Sequence, residues 1–171
     1  MATENPIALP LKYTENKFAL PATKKLFTGG NNISKTQAAK FFNAGAGILH
    51  GDRVLPKTLD NSMAAKAVAI VSSPAAGAAG EKIRLEFAYS TADTSTGETA
   101  DPAAWQQTVG VSQDVSAWGA KTKRRVEFTL TAANLAALDH FEYYLKRDPA
   151  HADDNHAQDI QVHALYLLAS Y

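Results

Sequence analysis

The chain has 171 residues, 46% of them hydrophobic and 20% charged, which is typical of one folded domain of ordinary size. Basic and acidic residues both number 17, so the net charge is zero, which argues against nucleic acid or an anionic membrane as a partner. The absence of cysteine excludes disulfides, cysteine–zinc sites and thiol catalysis.

Residues 1–31 are predicted to form an extended N-terminal arm, followed by a β-sandwich (jelly-roll) domain at 32–171. The arm holds Pro6, Pro10 and Pro21, which oppose a helix. Its first residues lack the basic start and apolar core of a signal peptide, so we expect synthesis in the cytoplasm. Apolar side chains nevertheless recur along it: Ile7, Leu9, Leu11, Tyr13, Phe18 and Leu20. Either the domain's own core or a neighbouring subunit would have to shelter them.

Two segments predict short helices. Ser34-Lys35-Thr36-Gln37 matches a capping box, which predicts a helix over Ala38–Phe42 that ends at Gly45. Ala132–Leu138 has high helix propensity and room for one or two turns.

Most of the remaining chain predicts β-strands. Period-two alternation marks Ile83–Tyr89, Val109–Val115, Val126–Leu130 and Phe141–Leu145, a short strand is predicted at Ala67–Val71, and a weaker candidate lies at Ile48–Leu59. Seven or eight short strands separated by polar turns predict an all-β protein, a jelly-roll-like antiparallel β-sandwich with an extended N-terminal arm and one or two short helices.

The final predicted strand is apolar on both faces. Ile160, Val162, Ala164, Tyr166 and Leu168 alternate along one face, while Leu165, Leu167 and Tyr171 lie on the other. A strand of this kind is expected to be covered on both sides. Together with the arm it predicts a subunit interface that comprises Ile7, Leu9, Leu11, Tyr13, Phe18, Leu20, Leu165, Leu167 and Tyr171.

One loop carries side chains that bind metals: His151, Asp153, Asp154, His156, Asp159 and the nearby His163. Their spacing matches no strong metal signature, and acidic residues are common in solvated loops. The main interpretation is a solvated loop without metal. A calcium-type site built from Asp153, Asp154 and Asp159 is the alternative.

No catalytic signature is present, so we expect a non-enzymatic protein without catalytic residues, metal or cofactor. A serine-hydrolase elbow is missing. Glu86 and Glu127 lie on predicted strands opposite the apolar rows, where a glycosidase pair is less expected than salt bridges with Arg84 and Arg125. Aromatic residues could form a sugar-stacking platform, although core packing is the simpler explanation; they are Trp105, Trp118, Tyr89, Tyr143 and Tyr144.

The last third resembles jelly-roll proteins of tailed-bacteriophage virions, notably head decoration or cement proteins. The resemblance lies in the basic strand Arg124–Phe128, the turn Asn134–Leu138, the strand Phe141–Asp148, the Asp153-Asp154 pair and a terminal alternating strand that ends at Tyr171. It implies a non-catalytic protein that decorates a phage capsid and braces neighbouring major capsid subunits.

Our main expectation is therefore a virion structural protein on the capsid surface that binds the major capsid protein. We expect it to form a homo-oligomer or symmetric lattice contacts, with no nucleic-acid or membrane partner. Before assembly it would reside in the host cytoplasm. The alternative is a carbohydrate- or receptor-binding β-sandwich module of a phage tail, which predicts that Trp105 or Trp118 is exposed beside a groove.

Overall fold

A computed structural model describes residues 4–9, 12–13, 23–26, 37–41, 48–93 and 105–170. These residues form strands and one 3-10 turn: β1 (Glu4–Ala8), β2 (Lys12–Tyr13), β3 (Thr23–Leu26), β4 (Gln37–Phe41), β5 (Ile48–Val54), β6 (Ala65–Ser72), β7 (Lys82–Ala92), β8 (Gln107–Asp114), β9 (Arg124–Leu130), the turn at Ala132–Asn134, β10 (His140–Arg147) and β11 (Ile160–Ser170). No helix among the residues described has the length and hydropathy needed to cross a membrane.

The strands build two antiparallel sheets packed face to face. The six-stranded sheet has the order β3-β4-β11-β6-β9, with β1 also paired to β11, and the five-stranded sheet has the order β2-β5-β10-β7-β8. From β5 onward, consecutive strands lie in opposite sheets, except for β7 and β8, which pair with each other in the five-stranded sheet. The prediction of an all-β antiparallel sandwich is confirmed.

Side chains from both sheets form the core between the layers. The alternation predicted for β7 and β10 is confirmed, because Phe87, Tyr89, Phe141 and Tyr143 are all buried. Phe87 stacks on Tyr143 of its own sheet at 6.1 Å and contacts Phe128 of the opposite sheet at 5.8 Å between ring centroids. Aromatic pairs of this kind each add about 0.5–1.5 kcal/mol beyond the area they bury.

A β-bulge explains why β11 is apolar on both faces in the sequence. The register with β6 shifts between Val162, which faces Val71, and Ala164, which faces Ile70, so His163 is an extra residue in β11. The shift brings Ile160 and Val162 onto the same core-facing side as Leu165 and Leu167, and all four are buried. The core-facing set therefore changes its parity at the bulge, and on the opposite face Leu168 is buried too, at 8% exposure.

The helix predicted over Ala38–Phe42 is wrong, because Gln37–Phe41 is strand β4. This segment pairs with β3 on one side and with the start of β11 on the other. A helix of five residues has little stability of its own, so pairing in a sheet overrides its local preference. The second predicted helix reduces to the single 3-10 turn at Ala132–Asn134.

Described parts of residues 1–31 belong to the two sheets. β1 pairs with β11, and the Leu9 amide donates a hydrogen bond to the Leu165 carbonyl at 2.9 Å. Ile7 and Leu9 are 4% and 3% exposed and belong to the same core as Leu165 and Leu167. This chain alone therefore shelters these four members of the predicted subunit interface.

The other members of that interface have no described side chains. Leu11, Phe18, Leu20 and Tyr171 lie outside the described residues, and for Tyr13 the structure describes only the backbone, in β2. Contact between this surface and a second subunit stays a prediction.

Candidate functional site: an aromatic groove on the five-stranded sheet

The outer face of the five-stranded sheet gathers polar and aromatic side chains from three places in the sequence. Since the inward positions of β5 and β10 are buried, the alternate positions face outward. The strand register places Asp52 opposite Glu142 and His50 opposite Tyr144. Trp105, shortly before β8, comes to the same face and contacts Tyr144.

These side chains surround a depression that we call the groove. Its volume is about 480 Å³, within the range of small-ligand sites. The residues that line it are Ile48, His50, Gly51, Asp52, Trp105, Glu142, Tyr143 and Tyr144. The lining combines aromatic rings, imidazole and carboxylate groups, so it can offer both stacking surfaces and hydrogen-bond acceptors.

Trp105 and Tyr144 form the aromatic part of the groove. Their rings meet edge to face, with centroids 4.9 Å apart at an angle of 85°. Trp105 is 41% exposed, so part of the indole is open to a ligand. For three of the five aromatic residues the main interpretation of core packing holds: Trp118 is 5% exposed, and Tyr89 and Tyr143 are buried in the core.

Two carboxylates form the polar part of the groove. Asp52 and Glu142 lie directly opposite each other on neighbouring strands, with side chains 44% and 36% exposed. The His140 imidazole lies 3.7 Å from a carboxylate oxygen of each. Carboxylates accept hydrogen bonds from pairs of hydroxyl groups, which is the chemistry that a polyhydroxylated ligand presents.

A hydrogen-bonded cluster holds the hydroxyl of Tyr144. The Tyr144 hydroxyl donates to Glu86 Oε1 at 2.5 Å, and Lys146 Nζ lies 2.9 Å from the same oxygen. Burial of Glu86 opposes its ionisation, but these two donors outweigh burial and lower its pKa. Burial, followed by the hydrogen bond to Glu86, raises the pKa of the Tyr144 phenol. The pair is therefore a neutral phenol donating to a carboxylate at physiological pH.

Glu86 and Glu127 do not form a shared cleft. Glu86 lies on the outer face of the five-stranded sheet, whereas Glu127 lies in β9 of the six-stranded sheet. Glu127 is 2.7 Å from Lys66 Nζ and 2.6 Å from Arg125 Nε, and these contacts lower its pKa. The alternative of a glycosidase pair is therefore wrong for these two residues. The expected salt bridge with Arg125 is confirmed.

The loop between β10 and β11 is organised by an arginine rather than by a cation site. Arg147 Nε and Nη2 donate to the two Asp154 carboxylate oxygens at 2.8 and 2.6 Å, and both side chains are buried. Asp154 also accepts the Arg84 amide at 2.9 Å. Asp153 instead accepts the Ser112 hydroxyl at 2.9 Å. Asp154 is thus already paired with a positive charge.

Two other candidate metal ligands, His163 and His151, contact different groups. His163 lies in the bulge, with Nε2 2.8 Å from the Ser72 hydroxyl, and His151 Nδ1 accepts the Asp153 amide at 3.1 Å. Within the residues that the structure describes, no three histidine or acidic side chains lie close enough to hold a metal.

A Ser–His–Glu arrangement with a buried serine and histidine and a partly exposed glutamate was not predicted from the sequence. Ser73 Oγ lies 2.9 Å from His156 Nε2, and Glu81 Oε2 lies 2.9 Å from His156 Nδ1. The Ala78 amide and then His156 lower the pKa of Glu81. The order of atoms matches a catalytic triad, but Ser73 and His156 are 1% and 2% exposed, so a substrate has no access. These contacts tie the β6–β7 turn to the β10–β11 loop.

Comparison with known proteins places the fold. No protein-family model and no curated protein sequence matches the chain. Among solved structures it is similar to a family 11 carbohydrate-binding module of the cellulosomal cellulase Lic26A-Cel5E of Clostridium thermocellum, with a TM-score of 0.51 and 10% identity over 100% of this chain and 96% of that one. It is also similar to the xylan-binding module CBM15, with a TM-score of 0.47 and 17% identity over 99% and 97%. At 10% identity the likeness to the family 11 module shows the fold alone, a jelly-roll β-sandwich.

Proposed function

We propose that the chain is a carbohydrate-binding β-sandwich, and that the groove on its five-stranded sheet holds the sugar. The observation that carries the proposal is Trp105, an indole 41% exposed and braced edge-on by Tyr144 in a groove of ligand size. The apolar faces of sugar rings stack on exposed aromatic rings, and the Asp52 and Glu142 carboxylates accept sugar hydroxyls.

Binding without chemistry is part of the proposal. The groove is open to solvent on one side, and the fold is shared with a carbohydrate-binding module, which is described by what it binds. Asp52 and Glu142 do lie opposite each other, so a reducing-sugar assay on the same glycans is needed. Hydrolysis that disappears in Asp52→Asn and Glu142→Gln would overturn the non-catalytic part of the proposal.

The test is a binding panel with a matched variant. Affinity electrophoresis and calorimetry would compare cellulose oligomers, xylan, mixed-linkage β-glucan and galactan. We expect Trp105→Ala to weaken binding to whichever of these glycans the protein binds by more than about tenfold, since truncation of a tryptophan that is a binding hot spot costs about 2 kcal/mol or more. Met63→Ala, equally exposed at 41% but outside the groove lining, is the control and should bind normally.

The outcome that would refute the proposal is equally concrete. A protein that binds none of the panel, or that binds equally well as Trp105→Ala, has no sugar site in this groove.

Capsid decoration remains a second hypothesis. It rested on apolar side chains that needed a partner, and four of them are sheltered by this chain: Ile7, Leu9, Leu165 and Leu167. It stays a prediction from the resemblance, and co-sedimentation with phage capsids would test it.

A further inference from the structure

We propose that Glu86 is a positioning residue of the groove: without lining the groove, it fixes the Tyr144 ring against which Trp105 rests. The inference rests on the proposed function and deepens it, because it assigns part of the sugar affinity to a carboxylate on a neighbouring strand. Glu86 is not among the side chains that line the groove.

The strand register places Glu86 beside Tyr144. Ala88 lies opposite Tyr144, and Glu86 lies opposite Lys146, so Glu86 is the diagonal neighbour of Tyr144. Ala88 has a small side chain and is fully buried although it belongs to the outer face. The phenol can therefore extend across β7 to reach Glu86, a distance that a diagonal pair allows for a long aromatic side chain.

Glu86 contacts both Tyr144 and Lys146. One oxygen, Oε1, accepts the Tyr144 hydroxyl at 2.5 Å and lies 2.9 Å from Lys146 Nζ. Lys146 Nζ is also 5.8 Å from the centre of the Tyr144 ring. The phenol is thus held at its hydroxyl by a charge-assisted hydrogen bond and near its ring by a cation.

Tyr144 connects this cluster to Trp105, the residue on which the sugar is proposed to stack. The Tyr144 and Trp105 rings meet edge to face, with centroids 4.9 Å apart. A Tyr144 ring that Glu86 holds in place therefore also supports the indole. A side chain that is already immobile does not have to be ordered when a sugar binds. Release of Tyr144 would therefore weaken binding without removing any group that touches the sugar.

A double-mutant cycle separates this role from a general structural one. We expect Glu86→Ala and Tyr144→Phe each to weaken binding of a mixed-linked β-1,3-1,4 tetrasaccharide or a xylan fragment by about three- to tenfold, as expected for one immobilised side chain. Because Glu86 would act through the Tyr144 hydroxyl, the double variant should bind no more weakly than Tyr144→Phe alone. Additive losses would show that Glu86 acts by another route.

Tryptophan fluorescence provides a readout that needs no sugar. Trp118 is buried at 5% exposure, so quenching by neutral acrylamide reports mainly on Trp105. We expect Glu86→Ala and Tyr144→Phe to raise quenching and lower the emission anisotropy. Unchanged values for both variants would overturn the proposal, even if no glycan of the panel binds.

Glu127→Ala is the matched control. Glu127 also lies on an outer strand face and is bonded to a lysine, Lys66 at 2.7 Å, but on the opposite sheet. It should change neither the affinity nor the quenching. If Trp105→Ala binds normally, the proposed function fails. If Trp105→Ala loses binding while Glu86→Ala keeps it, only the role of Glu86 fails.

Discussion

Removal of the Asp154 carboxylate would leave a charged group buried without its partner. The Arg147 side chain is completely buried and donates to both Asp154 oxygens, at 2.8 and 2.6 Å. It also donates to the backbone carbonyls of His156 and Gln158. In Asp154→Ala these two carbonyls remain, but the guanidinium loses its counter-charge and the Arg84 amide loses its acceptor.

The expected loss of stability is large for one substitution. Truncation of one partner of a buried ion pair costs about 3–5 kcal/mol. The two carbonyls that still accept from Arg147 favour the lower end, so we expect about 3 kcal/mol. For a domain of this size, 1 kcal/mol corresponds to about 2–4 °C, so the melting temperature should fall by about 6–12 °C.

Urea unfolding followed by circular dichroism measures this loss, and the neighbouring residue supplies the control. Asp153 is 46% exposed and accepts one hydrogen bond from Ser112. We expect Asp153→Ala to cost less than about 1 kcal/mol. EDTA should leave the unfolding midpoint unchanged, since Arg147 already neutralises Asp154. The reasoning fails if Asp154→Ala costs no more than Asp153→Ala, or if EDTA lowers the midpoint as a calcium site would require.

Three further predictions concern the bulge in β11, the carboxylate of Glu86 and the charge of the groove. Deletion of His163 would remove the bulge but keep Ile160, Val162, Leu165 and Leu167 on the core face in the same register with β6, so this variant should still fold by circular dichroism, whereas deletion of Tyr166 in the regular part of β11 would turn Leu167 outward and should prevent folding. The pKa of Glu86 is lowered, so its contribution to stability is present above pH 4.5 and is lost as the pH falls through its folded pKa; Glu86→Gln should flatten that acid limb in urea titrations at several pH values. Among the described residues, the groove lining holds Asp52 and Glu142 but neither lysine nor arginine, so under the proposed function calorimetry should show oligosaccharides with uronic-acid substituents binding up to about fivefold more weakly than neutral ones, a difference in affinity that Asp52→Asn narrows.

The alternating strands could be predicted from the sequence because their burial depends on local pattern. In β7 and β10 every second side chain is apolar, and the same side chains form the core. The segment Gln37–Phe41 misled prediction because its local signals favour a helix turn, whereas its state is decided by β3 and β11, which lie distant in sequence. A pattern confined to a few residues cannot report such pairing.

The groove could be predicted only in part. Trp105 and Tyr144 were among the candidate stacking residues, but nothing in composition separates exposed Trp105 from buried Trp118. That difference depends on where each loop leaves its strand. Asp52 and Glu142, 90 positions apart, meet because β5 and β10 are neighbours, a fact of topology that alternation does not encode.

The bulge and the Ser–His–Glu arrangement were not predicted from the sequence for a related reason. An inserted residue such as His163 changes the parity of a strand, and in the sequence this looks like a strand with two apolar faces. Ser73, Glu81 and His156 come together through two turns and carry no recognisable spacing. A change of parity within one apolar run is a signal that could have revealed the bulge.

The position of β11 has a consequence for biosynthesis. This strand pairs with β1 and β4 along one edge and with β6 along the other, so three earlier segments share a single later partner. A ribosome delivers that partner after all three, and until then the six-stranded layer lacks its centre. Nascent chains halted before residue 160 should therefore present unpaired strand edges to chaperones, and completion of the layer should coincide with emergence of β11 from the exit tunnel.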